Sequence, residues 1–210
     1  MRRLISYADP ILFLDIRPLT CKINSHGGLK AIVISHPHFY TTHLDWASTF
    51  DCPVYMHADD KVYLMRTDPK KQRRLITSKT ETILQGVTAI QIGGHFDGQI
   101  CLHYDGHLFH ADGFVNVPSS FTPDENRPEG MTTFSFMWSI PNMIPLSPDE
   151  IIRIWDALKG FDFEATHGLF VGWDVRKKNV KQRMLDSMKV QVRRMGYQSH
   201  GLLNESVVSQ

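Results

Sequence analysis

Ala31-Ile32-Val33-Ile34-Ser35-His36-Pro37-His38-Phe39-Tyr40-Thr41 is an apolar, strand-like run that stops on two histidines. The same arrangement recurs downstream. Thr88-Ala89-Ile90-Gln91-Ile92 leads into Gly93-Gly94-His95, Leu108-Phe109 leads into His110-Ala111-Asp112, and residues 161–166 lead into His167-Gly168. Imidazole and carboxylate are the ligands that suit zinc, iron or nickel. Four strand ends that deliver histidines and an aspartate are expected to converge on one metal site in a layered α/β domain.

Bulk composition sets the frame for that reading. The chain has 210 residues, 42% hydrophobic and 21% charged, which is ordinary globular composition and favours one domain over residues 1–210, with its core at about 8–195. The formal net charge is +1, so no electrostatic field argues for nucleic acid or an anionic membrane as partner. No apolar run approaches the roughly 18 residues of a membrane span. The basic start Met1-Arg2-Arg3 lacks a small-residue cleavage site and does not read as a signal peptide. Cys21, Cys52 and Cys101 are scattered, which suits free thiols in a reducing, cytoplasmic setting.

Local signals place the elements. Residues 11–16 and 53–57 read as strands, and residues 43–50 as a helix, which makes a parallel βαβ unit around the two histidines. Residues 80–84 and 87–92 read as strands. Asp105-Gly106, between residues 99–104 and 107–110, marks a hairpin with a type I′ turn. Ser147-Pro148-Asp149-Glu150 opens a helix with an N-cap, a proline at the first helical position and acids in the first turn, and Gly160 closes it. Residues 179–195 read as an amphipathic helix and residues 199–210 as a frayed end. Residues 114–130 form a long loop positioned to wall the site. Residues 131–140 read as a strand or buried helix, and Lys70-Lys71-Gln72-Arg73-Arg74 as a solvated basic loop or helix face.

Over roughly residues 8 to 175 these segments, in this order, resemble the metallo-β-lactamase superfamily. That family leads an apolar strand into His-x-His-x-Asp-His, follows with a Gly-His turn and a strand-end Asp, and closes with a His after a short strand. The resemblance implies an α/β fold, the four-layer αββα sandwich. The family places several strands ahead of the first motif; the 35 residues before His36 leave room for little more than one, so we expect the N-terminal strands to be truncated.

The first motif departs from the pattern. Tyr40 and Thr41 stand where the family has the Asp and second His that hold a second metal, and a phenol titrating near 10 is a poor replacement for either. The resemblance therefore implies one zinc ion per chain, with iron or manganese as alternatives. His36, His38 and His95 are the ligands, and Asp112 is a fourth ligand or the general base. His167 is left as a ligand of a weakened second position or as a hydrogen-bond donor to the site that, with Tyr40, stabilises the developing oxyanion. His43 and His57 are lesser candidates for ligation and substrate contact, and Asp97 reads as a turn residue. The expected function is a metal-dependent hydrolase that activates a water against a small-molecule substrate of open class. The alternative is a degenerate metal-binding protein of the same fold without activity; an iron-dependent oxidoreductase is a weaker third reading, because such sites generally need two metals. Oligomeric state has no signature in the sequence.

Overall fold

Alternate side chains of the Ala31 run point to opposite faces, as extended backbone requires, and both faces are buried. A strand covered on both sides belongs inside a layered domain. A computed structural model describes residues 3–5, 17–128, 130–177 and 179–207, and these form the expected layers.

The elements come in the order β1 (Arg3–Ile5), α1 (Arg17–Ser25), β2 (Leu29–Val33), α2 (His43–Phe50), β3 (Val54–His57), β4 (Arg73–Ile76), β5 (Thr80–Leu84), β6 (Val87–Gln91), β7 (Ile100–Tyr104) and β8 (His107–Phe109). Then follow β9 (Val115–Asn116), β10 (Phe134–Ser135), β11 (Met137–Ser139), β12 (Ile144–Pro145), α3 (Pro148–Leu158), β13 (Ala165–His167), β14 (Asp174–Arg176) and α4 (Val180–Arg194). One sheet has the order β1-β2-β3-β4, all parallel. The other has the order β14-β13-β8-β7-β6-β5, antiparallel except for the β13–β8 pair. Two short ribbons, β9–β10 and β11–β12, lie outside the sheets.

Three apolar clusters show how the layers stack. Ala31 and Val33 of β2 face Val87, Ala89, Ile100 and Leu102 of the second sheet. Ile32 and Ile34, on the opposite face of the same run, pack with Val54, Met56 and Ala47 of α2. Ile90 and Leu108, on the outer face of the second sheet, pack with Ile151, Ile154 and Trp155 of α3 and Met184 and Met188 of α4. The result is α2, sheet, sheet, α3 with α4: a four-layer α/β sandwich, as the resemblance implied.

Several local expectations are met for the anticipated reasons. α2 spans the expected residues. Asp105 and Gly106 both have positive φ, +47° and +73°, as a type I′ turn requires. Ser147 caps α3, its Oγ accepting from the Glu150 amide at 3.3 Å.

Others need correction. Arg73 and Arg74 lie not in a solvated loop or helix but in β4, paired with Val54 and Tyr55 of β3; the Asp68 carboxylate accepts from the Gln72 and Arg73 amides and aims the chain into the sheet. Residues 131–140 are neither one strand nor a helix. They are split between β10 and β11, with Phe134 and Phe136 in the core and Trp138 exposed. The C-terminal stretch is tied down as far as Glu205, because Leu202 is buried and Glu205 accepts from the Trp155 indole at 2.9 Å. The strand expected at residues 11–16 lies outside the described residues. All three cysteines are free, with Cys52 and Cys101 buried, and no helix among the described residues is long and apolar enough to cross a membrane.

Candidate metal centre

The two sheets meet where β2 ends: the Ile100 amide of β7 donates to the Ser35 carbonyl at 3.0 Å. His36 follows at once and Pro37 starts a single 3-10 turn, Pro37–Phe39. That turn puts His36 and His38 on one side. On the neighbouring sheet the chain leaves β6 through Gly93 and Gly94, with φ of +68° and +88°. A side chain at Gly94 would come within 2.9 Å of Leu146 and 3.2 Å of Ile154, so only glycine lets the His95 turn lie this close to α3. Asp112 arrives just past β8.

Four donor atoms converge. His36 Nε2 lies 3.2 Å from His38 Nδ1 and 3.2 Å from Asp112 Oδ2. His38 Nδ1 lies 3.3 Å from His95 Nε2 and 3.7 Å from Asp112 Oδ2, and the His95–Asp112 separation is 3.8 Å. All four atoms fall within 4.8 Å of one another, and among the described residues no other group of three or more metal-ligating side chains does so. Four donors held about 2.0–2.1 Å from a tetrahedral zinc ion stand about 3.3 Å apart. The donor set fits such an ion in both chemistry and spacing.

The surroundings fix the tautomers this requires. The His95 Nδ1–H donates to the Trp138 carbonyl at 2.6 Å, which leaves Nε2 as a lone pair. With His36 Nε2 facing the cluster, its Nδ1–H donates to Ser35 Oγ at 2.9 Å. Such outer bonds orient ligating imidazoles. Phe96 lies against all three imidazoles, with ring centroids 4.9–5.5 Å away. Burial pulls the pKa of His36 and of His95 down. Burial alone would raise that of Asp112, but the His36 hydrogen bond and the neighbouring histidines outweigh it and lower it. These shifts favour neutral imidazoles at His36 and His95 and an ionised Asp112 carboxylate, the forms that bind metal.

The other expected site residues stand elsewhere. His167 is not in the cluster: its Nδ1 binds Asp174 Oδ1 at 2.9 Å and its Nε2 binds His107 Nδ1 at 2.8 Å, so both nitrogens are engaged away from the donors. Tyr40 does not line the site either. It is buried with Ile32, Ile34 and Val54, and burial raises its pKa further. His43 accepts from Arg73 Nε at 2.9 Å and donates to the Tyr40 carbonyl. His57 is buried and accepts from the Asp59 amide. Asp97 is a turn residue whose carbonyl accepts from Gln91.

Sequence reasoning missed Asp60. It is 1% exposed, and its Oδ1 accepts from the Gly98 amide at 2.9 Å, anchoring the turn that carries His95. A Cβ at Gly98 would sit 2.7 Å from the Asp60 carboxyl. Burial pushes the pKa of Asp60 up, so a neutral acceptor should serve as well as a carboxylate. Asp60→Ala and Gly98→Ala should each weaken zinc affinity on the order of tenfold or more, as loss of outer support does, while Asp60→Asn should stay near wild type. Competition against a chromophoric chelator would check this; an Asn variant as weak as the Ala variant would show that the hydrogen bond is not what matters.

No protein-family model matches the chain. The uncharacterized protein YmaE of Bacillus subtilis (strain 168) is 32% identical over 168 residues, 77% of this chain and 56% of that protein. Among solved structures, a mutant of the flavo di-iron protein from Thermotoga maritima superposes with a TM-score of 0.57 at 11% identity, over 89% of this chain and 49% of that one. A B3 metallo-β-lactamase with an active-site glutamic acid superposes with a TM-score of 0.51 at 10% identity, over 94% and 80%. The chain thus spans about half the length of the first two.

Proposed function

The chain has the metallo-β-lactamase fold, and on that premise we propose that it is a hydrolase dependent on one zinc ion held by His36, His38, His95 and Asp112. The observation that carries this reading is the convergence of those four donor atoms within 4.8 Å, with outer hydrogen bonds on His36 and His95. When bound, zinc supplies a Lewis acid for the scissile carbonyl or phosphoryl oxygen and a water acidic enough to attack near neutral pH.

The protein's own groups supply the rest. Ser35 and the Trp138 carbonyl hold two imidazoles rigid. The His38 side chain is 56% exposed while that of His36 is fully buried, so substrate approaches from the His38 side. Asp112 presents Oδ2 to the histidines, and its other carboxylate oxygen takes the proton of the attacking water. His167 and Tyr40 have no part in this scheme.

A second reading has its own support. Four protein donors fill a tetrahedron, as structural zinc sites do, which favours a metal-binding protein without turnover. The test is a panel of esters, thioesters, lactones and phosphodiesters with zinc-loaded protein. The hydrolase reading expects turnover on one class, lost with chelator and restored by zinc. It also expects Asp112→Asn, compared with wild type at equal zinc occupancy, to lower kcat roughly a hundredfold or more, the range for a general base. Full zinc occupancy with no turnover on any class would favour the second reading.

A further inference from the structure

We infer that the substrate carries an apolar acyl or aryl group beside the bond that is cut, seated on a rim of exposed apolar side chains around the metal centre. This rests on the hydrolase reading. Scattered surface hydrophobics are ordinary, but exposed apolar side chains gathered beside a reactive centre mark a binding surface. Here most of the exposed large apolar side chains fall on three segments, two that reach the donor residues and one that follows β13.

The first segment is the turn from Ala58–Tyr63 onward. The Tyr63 ring meets Phe96 edge-on at 5.2 Å, and Phe96 lies against the three imidazoles. Met65, two residues on, is 92% exposed. The second is the β11–β12 ribbon. Its Trp138 carbonyl holds His95 while Trp138 itself is 53% exposed, and Met143 at the tip is 81% exposed. The third is the loop at residues 168–173, which leaves β13 beside the chain carrying Asp112, joined by the His110 amide to the His167 carbonyl at 3.0 Å. On it Phe170 and Val171 are exposed.

No single element needs such side chains in water to fold. Two of the three segments reach the metal centre, Tyr63 through Phe96 and Trp138 through its carbonyl on His95, so an occupant of the rim meets the metal as well. A small molecule with a polar, metal-seeking group and an apolar arm does that. A second copy of the chain covering the rim is the competing occupant.

Linear alkyl hydroxamates from two to ten carbons test this by calorimetry on zinc-loaded protein, because the chelating group is constant and only the arm varies. Full burial of a methylene is worth about fourfold in affinity, so we expect about two- to fourfold tightening per added methylene until the chain outruns the rim. The combined variant Met65→Gln, Met143→Gln, Val171→Ser, with unchanged zinc content, should flatten that slope. A flat series in the wild type, or an undiminished slope in the variant, would overturn the inference and leave the hydrolase reading standing. A flat series from protein that sediments as a dimer would assign the rim to a second copy instead. No binding of any hydroxamate would mean a closed metal, sinking the hydrolase reading and the inference with it.

Discussion

His38→Ala protein should purify without metal, while His167→Ala protein should keep about one equivalent. His38 Nδ1 has three donors around it, at 3.2 Å, 3.3 Å and 3.7 Å. Removing it leaves His36, His95 and Asp112 on one side of an ion whose remaining face is open to water. Loss of outer hydrogen bonds already costs 10–100-fold in affinity; loss of a ligand should cost more, about a thousandfold. His167 spends both ring nitrogens on Asp174 and His107. Its removal should cost stability of about 1 kcal/mol through the lost hydrogen bonds and little metal. Elemental analysis of the two variants beside the wild type reads this directly. Equal metal loss in both would mean that His167 turns inward to serve the ion.

Trp155→Ala should destabilise the fold by about 3–5 kcal/mol, the range for truncating a fully buried aromatic. Trp155 has no exposed surface and sits in the cluster that joins α3 and α4 to the second sheet. Its indole N–H donates to Glu205 at 2.9 Å and pins the C-terminal segment, which Lys189 Nζ also holds through the Glu205 carbonyl. Trp155→Phe keeps most of the volume and should cost only about 1–2 kcal/mol. The comparison is made by urea unfolding with chelator present, so that metal linkage does not mask the difference. Because Ile154 of the same helix closes over Gly94, zinc affinity should fall in the Ala variant too. A loss below about 1 kcal/mol would show that α3 is not integral to the core.

The strand ending in His36-Pro37-His38, the Asp105-Gly106 turn and the Ser147-Pro148 helix start are local signals, and local chemistry settles them. β4 was hidden because Arg74 and Leu75 stay exposed at its register, so the strand shows no buried alternation. The four convergent donors all stood in the sequence as candidates. What holds them did not: the Trp138 carbonyl is backbone and carries no residue-type signature, and Asp60 sits in Ala58-Asp59-Asp60-Lys61, which reads as surface until Gly98 closes over it. The orientation of His167 depends on Asp174, which belongs to the antiparallel neighbour β14, a pairing that spacing along the chain does not reveal. Tyr40 departs from the expected site because its ring finds an apolar cluster behind β2.

Metal content, read by elemental mass spectrometry on protein purified without a histidine tag, reports whether His36, His38, His95 and Asp112 form a single four-donor metal centre. One equivalent of zinc per chain, removed by chelator and recovered on re-addition, is the expected result. Two equivalents would require a second set of ligands that His167, held by Asp174 and His107, does not provide. No metal, even after incubation with zinc, would contradict the account outright.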